Sequence, residues 1–93
     1  MTYVNVRHTV AEYEKWRPFF DADETRRRAG GASGINQIYW DVDDPNTITL
    51  VMEWDNEANA KKFLNDPALA EVMQKAGVVG KLAVVAILSR AKA

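Results

Sequence analysis

The sequence predicts an α+β fold in which strand, helix, strand, strand, helix and strand follow one another. Three observations carry this. Residues 3–8 and 47–54 alternate side chains with the period of two that a half-buried strand requires. Residues 10–20 and 60–76 place apolar side chains three and four apart, the period of an amphipathic helix. Glycine, proline, aspartate and asparagine cluster between these stretches, where turns and caps belong.

On the first strand, Val4, Val6 and His8 share one face, and Tyr3, Asn5 and Arg7 share the other. Thr9-Val10-Ala11-Glu12 then fits a capping box, with the Thr9 hydroxyl accepting from the Glu12 amide. A helix is therefore expected to start at Thr9, with Val10, Tyr13, Trp16 or Arg17, and Phe20 on its apolar side. Pro18 removes the bond to the Glu14 carbonyl, which predicts a kink or a restart near Pro18. Gly30-Gly31 suit a left-handed C-cap. Arg26, Arg27 and Arg28 would form a solvated last turn that complements the helix dipole.

Strands are expected over 35–41 and 47–54, joined by the polar turn Val42-Asp43-Asp44-Pro45-Asn46. Asp55 or Asn56 caps the next helix, whose stripe begins with Ala60, Phe63 and Leu64. Asp66-Pro67 restarts it, with aspartate as cap and proline at the first helical position. Leu69, Val72, Met73 and Ala76 continue the stripe, and Gly77 ends it. Leu82–Leu88 reads as a well-buried last strand. Ser89–Ala93 reads as a polar fraying tail.

This order is the ferredoxin-like βαββαβ arrangement, a four-stranded antiparallel sheet with two helices on one face, here spanning a single domain over residues 1–93. The uncovered face is expected to be partly apolar. The last strand is apolar on both faces, with Leu82, Val84, Ala86 and Leu88 on one and Ala83, Val85 and Ile87 on the other. Ile35, Tyr39 and Val51 also leave their strands' main stripes. Two copies packing sheet to sheet, as a homodimer closing into an α/β barrel, would cover that face.

Composition excludes several functions. The net charge of -1 gives no bulk attraction to nucleic acid or to an anionic membrane. The longest apolar run, Leu82–Leu88, falls far below the ~18–20 residues that span a bilayer. The opening residues lack a basic start followed by an apolar stretch, so a cytoplasmic protein is expected. Zero cysteines exclude disulfides and a thiolate nucleophile, and a single histidine excludes a histidine-rich metal site. Asp41, Asp43 and Asp44 echo a calcium loop, but Asn46 and Met52 occupy its glycine and glutamate positions. Neither a phosphate loop, a dinucleotide fingerprint nor a GxSxG elbow occurs, and no cofactor is expected.

His8 is the candidate proton-transfer group, because imidazole titrates near neutrality. It has a structural reading as well. His8 precedes the expected cap and Tyr13 lies four residues beyond that cap, the two positions of a hydrophobic staple. Tyr13 and Trp16 are candidates to line an aromatic-binding pocket beside His8, or to be core. Trp54, like Trp40, carries an indole N–H that needs a partner if buried. Asn36 shares a strand face with Ile38 and Trp40, so its amide either satisfies backbone or faces a ligand.

The stretches "VRHTVAEYEKWRPFFD" and "EWDNEANAKKFLNDPALAEVMQKAGVVG" are similar to the dimeric α/β-barrel superfamily, which includes antibiotic biosynthesis monooxygenase-like proteins and small polyketide cyclases. The resemblance covers nearly the whole chain and rests mainly on structural motifs. It implies a homodimer with a ligand pocket between sheet and helices. The reaction it implies is cofactor-free oxygenation, cyclisation or isomerisation of an aromatic or apolar small molecule, with His8 moving a proton. It equally allows a non-catalytic binding or assembly module of the same fold. Haem-degrading relatives use a tryptophan and a histidine where this chain has Phe63 and Met73, which argues against haem degradation. Small cyclases pair their strand-one histidine, matched by His8, with a second histidine near the last strand. Here that region reads Val78-Val79-Gly80-Lys81, so a two-histidine mechanism is unavailable.

Overall fold

The computed structural model describes residues 1–91, apart from the side chains of residues 80–84. Strand β1 (Thr2–Val10) pairs with β3 (Asp44–Trp54) on one side and β4 (Val78–Ser89) on the other, and β2 (Ala32–Asp41) pairs with the far edge of β3. The antiparallel sheet therefore has the order β2-β3-β1-β4, the ferredoxin-like topology. Each helical connection is split in two. Helices α1 (Tyr13–Ala22) and α2 (Glu24–Gly30) fill the first, and α3 (Glu57–Leu64) and α4 (Pro67–Lys75) the second.

The β1–β3 register pairs Val4 with Met52, Val6 with Leu50 and His8 with Ile48. These side chains alternate onto the face beneath the helices, where the aliphatic ones join Trp54, Trp16, Ala60 and Phe63 in one core. The sequence reading of the strand faces holds there.

Several local expectations are corrected. Strand β1 does not yield to a helix at Thr9. Thr9 stays paired with Thr47, their hydroxyls 3.1 Å apart, and Val10 is a buried strand residue. The helix cap is Glu12, whose side chain makes no capping bond. The Tyr13 amide instead donates to Asn46 Oδ1 at 3.0 Å. A long-range partner from β3 thus replaces the local capping box, because Thr9 and Val10 continue the β1 ladder and the helix begins only at Tyr13.

Pro18 lies inside α1 and does not break it; the break comes at Asp23. Pro18 and Glu14 are both on the exposed side of α1, where water can solvate the carbonyl that proline leaves unpaired. The β2–β3 turn shrinks to Val42-Asp43, with Pro45 and Asn46 taken into β3. Asp44 organises this corner, its carboxylate accepting from the Asn46 amide at 3.0 Å and the Thr47 hydroxyl at 2.6 Å. The cap of α4 is as read, and of the two candidates for α3 it is Asn56 that serves. Asn56 accepts from the Asn59 amide at 2.8 Å, and Asp66 from the Ala68 amide at 2.9 Å.

Strand β4 begins at Val78, earlier than expected, and forms an edge of the sheet. That position leaves Val79, Val85 and Leu88 exposed, so among its described side chains the strand is not well buried. The expected faces of Leu82, Ala83 and Val84 fall on side chains outside the described set, as do Lys92 and Ala93 of the expected tail.

Gly31 ends α2 with φ 122°, a backbone conformation that side chains disfavour. A Cβ there would also sit 2.5 Å from Asp55 Oδ1. Gly31→Ala is expected to cost about 1–3 kcal/mol, read as a lower urea midpoint with an unchanged slope. An unchanged midpoint would show that the α2–β2 junction relaxes freely.

Candidate active site

The site begins with a packing deficit. Helix α4 contains no fully buried residue, although Leu69, Val72 and Met73 point inward at helical spacing. They roof a cavity of about 50 Å³ above the sheet. Its floor includes His8 from β1 with Leu50 and Met52 from β3, and its side wall includes Trp16, Phe20 and Arg27. The lining is overwhelmingly apolar. Phe19 also lines it and is 43% exposed, which places it at the mouth.

The wall is a ladder of successive ring contacts. The guanidinium carbon of Arg27 sits 3.9 Å from the centre of the Phe20 ring. Phe20 stacks on Trp16 with centroids 5.1 Å apart, and Trp16 meets His8 edge-on at 5.7 Å. A buried imidazole and a buried guanidinium therefore close the two ends of this ladder.

His8 is 3% exposed, and neither ring nitrogen has a hydrogen-bond partner among the described residues. Most buried polar groups are satisfied, so two unpaired nitrogens in one ring are unusual. Burial lowers the His8 pKa from its ordinary value, because the apolar wall penalises the charged form. The imidazole is thus neutral at pH 7 and able to accept a proton. It contacts Trp16 rather than forming the expected staple, since the cap lies at Glu12 and not Thr9.

The lowered pKa has a consequence for stability. The unfolded histidine, near 6.5, binds a proton that the folded one refuses as pH falls. Stability is therefore fully present above about pH 6.5 and declines below it, until the folded-state pKa is reached. The slope of this contribution approaches 1.4 kcal/mol per pH unit at most. Denaturation midpoints measured from pH 8 to 5 in wild type and in His8→Leu should diverge below pH 6.5, the variant lacking this component. Parallel curves would contradict the neutral buried imidazole.

The structure brings His8 and Trp16 together on the cavity wall and sets the other sequence candidates outside its lining. Tyr13 packs behind Trp16 at 5.8 Å and meets Trp40 edge-on at 5.0 Å. Asn36 pairs with Met52 toward the β2 edge of the helix-covered face. Trp54 is fully buried against Phe63 at 4.8 Å, its Nε1 unpartnered among the described residues.

Sequence reasoning missed Arg27. The expected solvated turn holds for Arg28 and for the half-buried Arg26, but Arg27 is 3% exposed. The signal was present: Trp16, Phe20 and Arg27 are four and seven residues apart, which keeps them on one helical face. The run of three arginines reads as a solvated turn, which masked that spacing.

No described helix is long and apolar enough to cross a membrane. Among the described residues no cluster of histidine, aspartate and glutamate is arranged to hold a metal ion.

No protein-family model matches this sequence, and no curated protein sequence matches it. Solved structures do match. An antibiotic biosynthesis monooxygenase superposes with a TM-score of 0.69 at 14% identity, covering 99% of this chain and 100% of that one. SnoaB, a cofactor-independent oxygenase from Streptomyces nogalater, gives 0.70 at 14% identity, with 99% and 93% covered. Rv0793 from Mycobacterium tuberculosis gives 0.68 at 16% identity, with 99% and 96% covered. What these proteins share at such identities is architecture: the chain has the ferredoxin-like fold of the antibiotic biosynthesis monooxygenases.

Proposed function

We propose that this protein is a homodimer that binds a small apolar or aromatic molecule between sheet and helices, and that His8 moves a proton on the bound molecule. One observation carries the reading: a buried, unpartnered imidazole forms part of the wall of an apolar cavity. A structural histidine normally spends its ring nitrogens on hydrogen bonds. These two remain available to a ligand.

The chemistry this supports is removal of a proton from an acidic carbon beside a carbonyl. The C–H pair of electrons becomes the enolate, and the imidazole becomes imidazolium. Such an enolate can then be oxygenated, cyclised or reprotonated elsewhere without a bound cofactor. The existence of a cofactor-independent oxygenase on this fold makes the first outcome chemically reasonable. Size sets a condition. A cavity of about 50 Å³ is smaller than the roughly 150 Å³ that admits benzene. The ligand therefore enters by displacing roof side chains, of which the unbranched Met73 is the easiest to move.

The dimer rests on the open sheet face. Ile35, Tyr39 and Leu88 are exposed there, around a part-buried Arg7–Asp41 ion pair. Light scattering that returns a mass near 10.5 kDa rather than twice that would refute it.

The Trp16 contact favours a second reading. A neutral imidazole packed edge-on against an indole can simply fill space, leaving a non-catalytic binding or assembly module. A thermal-shift screen of wild type and His8→Leu against aromatic ketones, quinones and small polyketides separates the two. Ligands that stabilise wild type but not the folded variant support the first reading. Ligands that stabilise both proteins equally support a non-catalytic binding module, and a screen in which no compound shifts wild type supports an assembly module.

A further inference from the structure

We propose that the cavity's ligand is an acid: a carboxylate on an aromatic or branched apolar body, anchored by Arg27. This rests on the reading of the cavity as a ligand site. Three carboxylates lie near enough to Arg27 to act on it, those of Asp21, Asp23 and Glu24. Each is committed elsewhere. Asp21 pairs with Arg17 at 3.0 Å, Asp23 with Arg26 at 2.8 Å, and Glu24 with Arg28 at 3.7 Å.

Arg27 is the most buried of the three consecutive arginines and forms no ion pair among the described residues. Its one hydrogen bond there runs from Nη1 to the Phe20 carbonyl oxygen at 2.8 Å. A guanidinium has five N–H donors, and among the described residues one protein bond draws on those of Arg27. Buried charges are normally paired, and a cation held against the Phe20 ring recovers only part of its lost hydration. Arg27 and His8 line the same cavity; both His8 ring nitrogens are enclosed without a partner, and Arg27 makes one hydrogen bond among the described residues.

Guanidinium geometry selects the anion. Its planar fork matches a carboxylate with two parallel hydrogen bonds, and the rest of the ligand meets an apolar lining. Asp23 also lines the cavity, but its carboxylate is paired with Arg26, and His8 adds no carboxylate of its own, so the anion that Arg27 would take is a monoanion.

Benzoate and phenylacetate, each against its neutral amide, test this in the full chain by calorimetric titration. Binding of the carboxylates at least about tenfold more tightly than the amides is expected in wild type. Arg27→Met should reduce that preference to about twofold or less, and Arg27→Lys should keep an intermediate part of it. Circular dichroism confirms that each variant is folded, and the wild-type comparison stands even if one is not. Equal affinity for acid and amide, or a preference that survives Arg27→Met, overturns the proposal. If only neutral aromatics bind, the acid inference fails while the aromatic cavity stands. If neither class binds, both fail.

Discussion

Trp54→Ala is expected to destabilise the protein by about 3–5 kcal/mol, the range for truncating a buried aromatic. Small domains have roughly 5–15 kcal/mol of stability in total, so this one change would remove about a fifth of it or more. Trp54 is fully buried beneath the helices, packed against the tilted Phe63 ring, and its six-membered ring lies 3.5 Å from where a Cβ on Gly30 would be. It therefore ties β3 to α2 and α3 together. Trp54→Phe should cost far less, about 1 kcal/mol. Its smaller ring leaves a void, but it also deletes an indole N–H that has no partner. Urea denaturation of both variants checks the contrast. Equal losses would mean that the indole nitrogen contributes a bond in solution.

His8→Leu should raise stability while removing function. Two magnitudes compete. Burying unpaired polar atoms costs about 1–3 kcal/mol, and the edge-on Trp16 contact returns about 0.5–1.5 kcal/mol. Leucine escapes the first and forfeits the second, so a net gain of about 1 kcal/mol is expected at pH 7. Any proton-transfer activity should fall by the 10²–10⁴-fold, roughly, that a general base supplies. A variant that loses stability while keeping activity would make His8 a packing residue. A gain in stability with lost activity would mean that the site tolerates an unfavourable group for its chemistry.

The strand and helix order was legible because each signal is local. The alternation in β1 and β3 and the Asn56 and Asp66-Pro67 caps need only neighbouring residues, and all appear in the structure. The junction after β1 was not legible, because Asn46, 33 positions from Tyr13, does the capping. Thr9 satisfied a local motif and was recruited by a strand partner instead. Likewise, Pro18 is a helix breaker by local rules, yet its exposed placement lets α1 continue. Of the cavity, the sequence pointed to His8 and Trp16. Arg27 escaped because a run of three arginines reads as surface, and only the inward rotation of α2 separates the middle one from its neighbours.

With one histidine in the chain, the imidazole of His8 is an unambiguous reporter of the cavity. The most direct test of the central claim is therefore its nitrogen and ring-proton resonances, followed by NMR while an aromatic ketone is titrated in. Binding in the cavity predicts saturable shifts of both nitrogens, with the same saturation at the roof residues Val72 and Met73. Imidazole resonances that stay fixed while the ketone binds elsewhere, or does not bind, would contradict it.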